Sequence, residues 1–124
     1  MNNNTIANIS KIVFALVMAI FGIGHFMNAQ GMAGYVPSYF PGGALWVYLT
    51  GAGLLLAAVS MLTGKYTQLA CYLLGAMLLI FVLSIHLPMY LHAADEAAKN
   101  AAMPGMMKDL ALAAASFYFG AKQS

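Results

Sequence analysis

The sequence predicts an all-α fold, an integral membrane four-helix bundle with both termini in the cytoplasm. Three observations lead there. The chain has 124 residues, of which 63% are hydrophobic and only 6% charged, against about 25% charged in a soluble domain. Four segments are long and apolar enough to span a hydrocarbon core about 30 Å thick, which takes about 20 helical residues. Small residues recur at helical spacing in the later segments, as helices that associate in lipid require. The whole chain, 1–124, reads as a single transmembrane domain.

The first span covers about 10–27. Lys11 followed by "IVFALVMAIFGIG" has the charge and apolar run of a signal peptide. No convincing A-x-A site follows, so the segment is expected to be a retained helix. The second span covers about 44–62 and ends at "TGK", opening a tight turn "TGKYTQ". The third covers about 68–87 and is expected to stop at Pro88, which interrupts the hydrogen-bond ladder. The fourth covers about 103–121. From Leu110 to Ala121 there are too few residues to cross, so the helix must begin near Met103 or Pro104, with Pro104 suited to its first position. That extension places Lys108 and Asp109 inside the membrane.

The lysines orient the bundle. Lys11, Lys65 and Lys122 fall on one side, which the positive-inside rule makes cytoplasmic. Lys99, offset by Asp95 and Glu96, falls on the other. The first outer connection, "NAQGMAGYVPSYFPGG", is uncharged and carries Tyr35, Tyr39, Phe40 and two prolines, so it is expected to lie at the interface or over the bundle mouth. The second, "PMYLHAADEAAKNAAMPG", is more polar and is expected to form a short interfacial helix. Packing faces follow from spacing: Thr50, Gly53, Ala57 and Ser60 on the second span, Cys71 and Gly75 on the third, and Asp109, Ala113, Ser116 and Gly120 on the fourth. A weak two-plus-two repeat is visible. Spans one and three end in a histidine ("GIGHF", "LSIHLP"), and spans two and four end in Gly then Lys ("LTGK", "FGAK").

This topology brings His25, His86, Lys108 and Asp109 to one leaflet from three helices. Asp109 shares its face with the small stripe and is expected to point inward, toward His25 and His86. Lys108, about 100° away around the helix, is expected to snorkel to the outer interface or reach Asp95 or Glu96. An intramembrane acid is a functional-site candidate, and the competing reading is a structural clamp across three helices.

Other chemistries find less support. Five lysines without an arginine make no basic face, so nucleic acid is excluded as a partner. Cys71 is the single cysteine, which leaves no C-x-x-C pair and no internal disulfide. Met27, Met32, Met89, Met103, Met106 and Met107, with His86 and His92, offer soft ligands for Cu(I). Apart from "MPGMM" they form no tight methionine series. A haem between His25 and His86 is geometrically conceivable and has no other signal, so no metal or haem is assigned. No phosphate loop, flavin fingerprint or hydrolytic triad is present.

The order of "FGIGHF", "TGAGLLLAAVSMLTGKYTQLA", "HLP" and "KDLALAAAS" resembles the DoxX family of small four-span bacterial membrane proteins, in its DoxX-like branch. The resemblance implies an association with respiratory or sulfur redox chemistry, as for the related DoxD subunit of a thiosulfate:quinone oxidoreductase. The expectation that follows is a subunit or accessory protein of a membrane redox system in the bacterial inner membrane. It would bind a quinone-like or lipid-like molecule near the outer leaflet through His25, His86, Lys108 and Asp109. The alternatives are a structural scaffold for a partner oxidoreductase subunit, and a small homodimeric proton-coupled carrier.

Overall fold

The structure, a computed structural model, describes residues 2–35 and 42–123. Its described residues are helices joined by short turns, without a strand. Helix α1 runs Asn3–Met27, and α2, Ala29–Met32, is followed by a 3₁₀ turn, Ala33–Tyr35. Helix α3 runs Gly43–Thr63 and α4 runs Thr67–Phe81. A π-helical turn, Val82–His86, leads into α5, Leu87–Leu91, and α6 runs Glu96–Ala121. Tyr39, Phe40 and the prolines of the first outer connection lie outside the described residues.

Local chemistry sets each boundary. Asn2 caps α1, its side-chain oxygen accepting from the Thr5 N–H at 2.8 Å, so the helix begins well before the apolar run. Gly64 closes α3 at φ 78°, its N–H donating to the Ser60 carbonyl at 2.9 Å, a conformation open to glycine at little cost. Tyr66 follows at φ 56°, and the Thr67 hydroxyl donates to the Ser60 carbonyl at 2.9 Å. The tight turn expected at "TGKYTQ" is therefore present and stitched to the helix it leaves.

Two boundaries differ from the sequence reading. The third segment does not stop at Pro88: the helix passes through the π turn and continues to Leu91. The Leu87 N–H reaches back to the Val82 carbonyl, a five-residue span, and Pro88 then sits in the first turn of α5, where a missing N–H costs little. Nor is Pro104 the first residue of the last helix. Asp95 caps α6, accepting from the Ala98 N–H at 2.8 Å, with Glu96 in the first turn. This is a stronger start signal than the proline, and Pro104 lies inside the helix.

Asn3–Met27, Gly43–Thr63 and Thr67–Leu91 are each long and apolar enough to cross a membrane. Their outward faces are apolar as well, with Ile20, Leu56, Leu73 and Leu83 all largely exposed. Lipid solvates such a surface and water does not, so this is a helical membrane protein.

The helices pack as two close pairs, α1 with α3 and α4 with α6, and α3 against α4 joins them. Glycines set both pairs. A Cβ on Gly51 would sit 2.9 Å from the His25 Cβ and 3.1 Å from the Gly22 carbonyl. One on Gly120 would sit 2.9 Å from the Cys71 Cβ, and one on Gly75 2.8 Å from the Phe117 ring. The Ser116 hydroxyl donates to the Cys71 carbonyl at 2.6 Å, and the Gln68 amide to the Gly120 carbonyl at 3.1 Å. The buried stripe Asp109, Ala113, Ser116 and Gly120 is as the spacing predicts. On α3 the buried face is Val47, Gly51, Leu54, Ala57, Ala58 and Met61, so Gly51 rather than Gly53 makes the close approach.

Between the pairs the core is continuous toward the Lys65 turn, where Ala58, Met61, Cys71 and Leu74 meet. Met18, Leu54, Leu78 and Leu112 mark its limit, for they also form the floor of a cavity. Beyond that floor the two pairs no longer fill the space between them.

Candidate functional site

The cavity has a volume of about 1190 Å³, at or above the upper end of ordinary small-molecule sites. Helix α1 contributes Phe21 and His25, α3 contributes Trp46 and Thr50, and α4 contributes Met77 and Phe81. The π turn adds Ser84, Ile85 and His86; α6 adds Gly105, Lys108 and Asp109. All four residues singled out in the sequence thus lie on the surface of one cavity. Its walls are otherwise mostly apolar, as a site for an amphipathic molecule would be.

His86 and Asp109 form the tightest polar contact, Nε2 to Oδ2 at 2.6 Å. Asp109 is buried, whereas a quarter of the His86 side chain is exposed. The π turn carries one residue more than an α turn, so side chains beyond it rotate by about 100° relative to an uninterrupted helix. Gly105, one turn before Asp109 on α6, packs against the imidazole; a Cβ there would lie 3.6 Å from the His86 Cε1, an ordinary contact.

His25 does not meet Asp109, contrary to the expectation from its depth. Its Nδ1 donates to the Phe21 carbonyl of its own helix at 2.7 Å, and its ring faces the cavity from the opposite pair. Lys108 behaves differently again. Instead of reaching Asp95 or Glu96, its Nζ lies 5.0 Å from the Phe21 ring centroid and 3.8 Å from the Asp109 Oδ1. The Lys stem is long enough to curl around the 100° that separates neighbouring positions. A cation over an aromatic face is favoured where water is scarce, and the contact ties α6 to α1 across the cavity. The charges of Lys108 and Asp109 offset each other locally, which lowers the cost of holding the buried carboxylate away from water.

Met32 and Met89 line the cavity, Met106 is buried and Met27 is exposed.

Sequence reasoning missed Phe21, Ser84 and Gly105. Gly105 sits at i−4 from Asp109 on the same face, a spacing that could have marked it. "LSIHLP" carried a signal too, since a proline two residues after an inward-facing histidine needs a helix irregularity to be accommodated.

The chain matches the family model described as Domain of unknown function (DUF8561) over residues 14–116, and it belongs to that family. No curated protein and no solved structure matches it. The family match spans every cavity-lining residue named above, from Phe21 to Asp109.

Proposed function

We propose that this protein binds a quinone-like or lipid-like molecule in the cavity between its helix pairs, as a subunit or accessory of a membrane redox system. The polar head lies among His25, His86, Lys108 and Asp109, and the apolar remainder lies along the Phe and Met walls. The observation that carries this reading is the meeting of all four residues on one large, otherwise mostly apolar cavity. In this proposal the chain has four spans. Helix α6, with 26 residues, is about 39 Å long at about 1.5 Å per residue, enough to cross. Both termini then face the cytoplasm of a bacterial inner membrane, and the cavity opens toward the outer leaflet. The DoxX-like resemblance belongs to the same proposal, supported by the order of the motifs that carry it.

Trp46, the one tryptophan in the sequence, lines the cavity and supplies the test. A short-chain quinone titrated into the protein in lipid nanodiscs should quench its fluorescence to saturation. His86→Ala with Asp109→Asn should reduce that affinity about ten-fold or more. Linear quenching, equal in both proteins, would remove the site assignment.

A second reading, a scaffold for a partner oxidoreductase, is favoured by the short His86–Asp109 contact joining the π turn to α6. In that case the double variant loses folded yield and the parent protein shows no saturable quenching.

A further inference from the structure

Two seams run between the helix pairs, and they differ in what crosses them. On the seam between α1 and α6, the Phe14 and Phe119 rings meet at 5.2 Å between centroids, and the Lys108 Nζ lies 5.0 Å from the Phe21 ring centroid. Phe14 and Phe21 are two turns apart on α1, about 10 Å, so side chains bridge this seam at two depths. A separate shallow groove lies on it, lined by Val13, Val17, Leu112 and Phe119. Leu112 borders both that groove and the cavity, and forms part of the wall between them.

The seam between α3 and α4 is filled from the Lys65 turn by Ala57, Ala58, Met61 and Leu74. Contact continues as far as Gly53, where a Cβ would sit 3.3 Å from the Met77 Sδ. Farther from the turn, both helices become cavity wall: Trp46, Leu49 and Thr50 on α3, Ile80 and Phe81 on α4, then Ser84 on the π turn. Leu49 and Ile80 line the cavity and are also 53% and 58% exposed. A side chain that faces a cavity and the outside at once stands on a rim. These two rims belong to neighbouring helices, so the cavity opens sideways between them.

That opening faces hydrocarbon. The helices on either side of it are both long and apolar enough to span a membrane. Leu49 lies about 9 Å along its helix from Gly43, and Ile80 about 16 Å from Leu91, at about 1.5 Å per residue. Both rims are therefore well inside the ends of their spans. Drawing a long apolar chain out of lipid into water is costly for every methylene it carries. A chain that passes from lipid to an apolar wall loses little, since lipid tails are as apolar as the side chains that replace them.

We infer that the molecule held in the cavity is a long-chain amphiphile resident in the bilayer. Its polar head sits among His25, His86, Lys108 and Asp109, and its chain runs out between α3 and α4 into the lipid. This rests on the quinone-like or lipid-like reading above and gives that ligand a class and a path. The seam between α1 and α6 stays shut, latched by Lys108 on Phe21 and by Phe14 on Phe119.

Photolabelling in lipid nanodiscs tests the path. The probe is a quinone with a long isoprenoid chain and a diazirine in mid-chain, photolysed with and without an excess of tail-less quinone. Adducts that the excess removes mark the bound probe, and the rest mark probe dissolved in the bilayer. The removable adducts should fall on Leu49, Ile80 and their neighbours on α3 and α4. Removable adducts on Val17, Leu112 or Phe119 instead overturn the path and leave the quinone-like reading in place. So does an unlabelled Leu49 and Ile80, the result expected if a second copy of the chain or another helix fills the opening. Absence of removable adducts, with saturable Trp46 quenching by the tail-less quinone, overturns the long-chain class alone. Absence of both signals overturns this inference and the reading beneath it.

A variant pair tests the same opening by affinity, with each ligand's concentration referred to the lipid. Leu49→Phe with Ile80→Phe narrows it, and the ratio of long-chain to tail-less affinity should fall at least about five-fold, the low end of what overpacking costs. Val17→Phe adds the same ring to the other seam and should leave the ratio unchanged. An unchanged ratio in the double variant, or an equal fall in Val17→Phe, contradicts the path.

Discussion

His25 and His86 close the corresponding segments of the two helix pairs and face the same cavity, yet they are held in opposite ways. His25 spends its Nδ1 on the carbonyl one turn back in its own helix. His86 sends Nε2 across to Asp109 on another helix. The first bond is local and survives any rearrangement that leaves α1 helical. The second exists only when the π turn and α6 are docked. Similar ends of a weak repeat thus hold one histidine fixed by its own helix and one fixed by tertiary structure, and only the second can sense how α6 sits.

The largest effects should come from the glycines that set both pairs. Gly51→Val and Gly120→Val place a methyl-bearing Cβ against the backbone or Cβ atoms of a neighbouring helix. Each should cost about 2–3 kcal/mol of stability, as overpacking of a tight contact does, measured by equilibrium unfolding in mixed micelles. The two should part company on the ligand. Gly51 lies beneath the His25 Cβ, so its variant should also weaken binding, whereas Gly120 lies away from the cavity and should lower stability alone.

The next contrast concerns the polar residues. Asp109→Ala removes the tertiary partner of His86 and should cost about 1–2 kcal/mol, the range for polar contacts within membranes and below that of a fully buried ion pair. His25→Ala removes a bond that never leaves its own helix and should cost under about 0.5 kcal/mol in the same unfolding assay. Equal losses would erase the distinction between the histidines. The smallest effect belongs to Gly24, around which a Cβ meets nothing within 4 Å. Gly24→Ala should be neutral or stabilise by up to about 1 kcal/mol through helix propensity.

Much of this architecture was legible in the residues. Hydropathy marks the membrane helices, and the three- and four-residue spacing of Asp109, Ala113, Ser116 and Gly120 gives the buried face of α6 correctly. Depth arguments place His25, His86, Lys108 and Asp109 at one end, and all four line one cavity. What depth does not give is direction around a helix axis. That is why Asp109 was expected to meet both histidines and meets His86. The π turn changes the angular register by one residue, and no periodicity argument that assumes a regular α-helix includes it. The Asp95 or Glu96 partner read for Lys108 does not form, for a different reason: a flexible stem follows whatever partner is near, and Phe21 is distant in sequence. The stripe on α3 was placed from small residues alone, although the glycine that makes the close contact, Gly51, lies two positions before the one chosen.

The direct test of the cavity as a binding site fills it without touching the four polar residues. Ala102 lines the cavity from α6, and Ala102→Trp should occupy part of the space between the pairs. Native mass spectrometry of the protein released from its own membrane should show a small amphipathic molecule bound to the parent chain. The variant should have lost it at unchanged folded yield. Retention of the same molecule by Ala102→Trp, or a parent chain that carries nothing even after incubation with a short-chain quinone, would contradict the account.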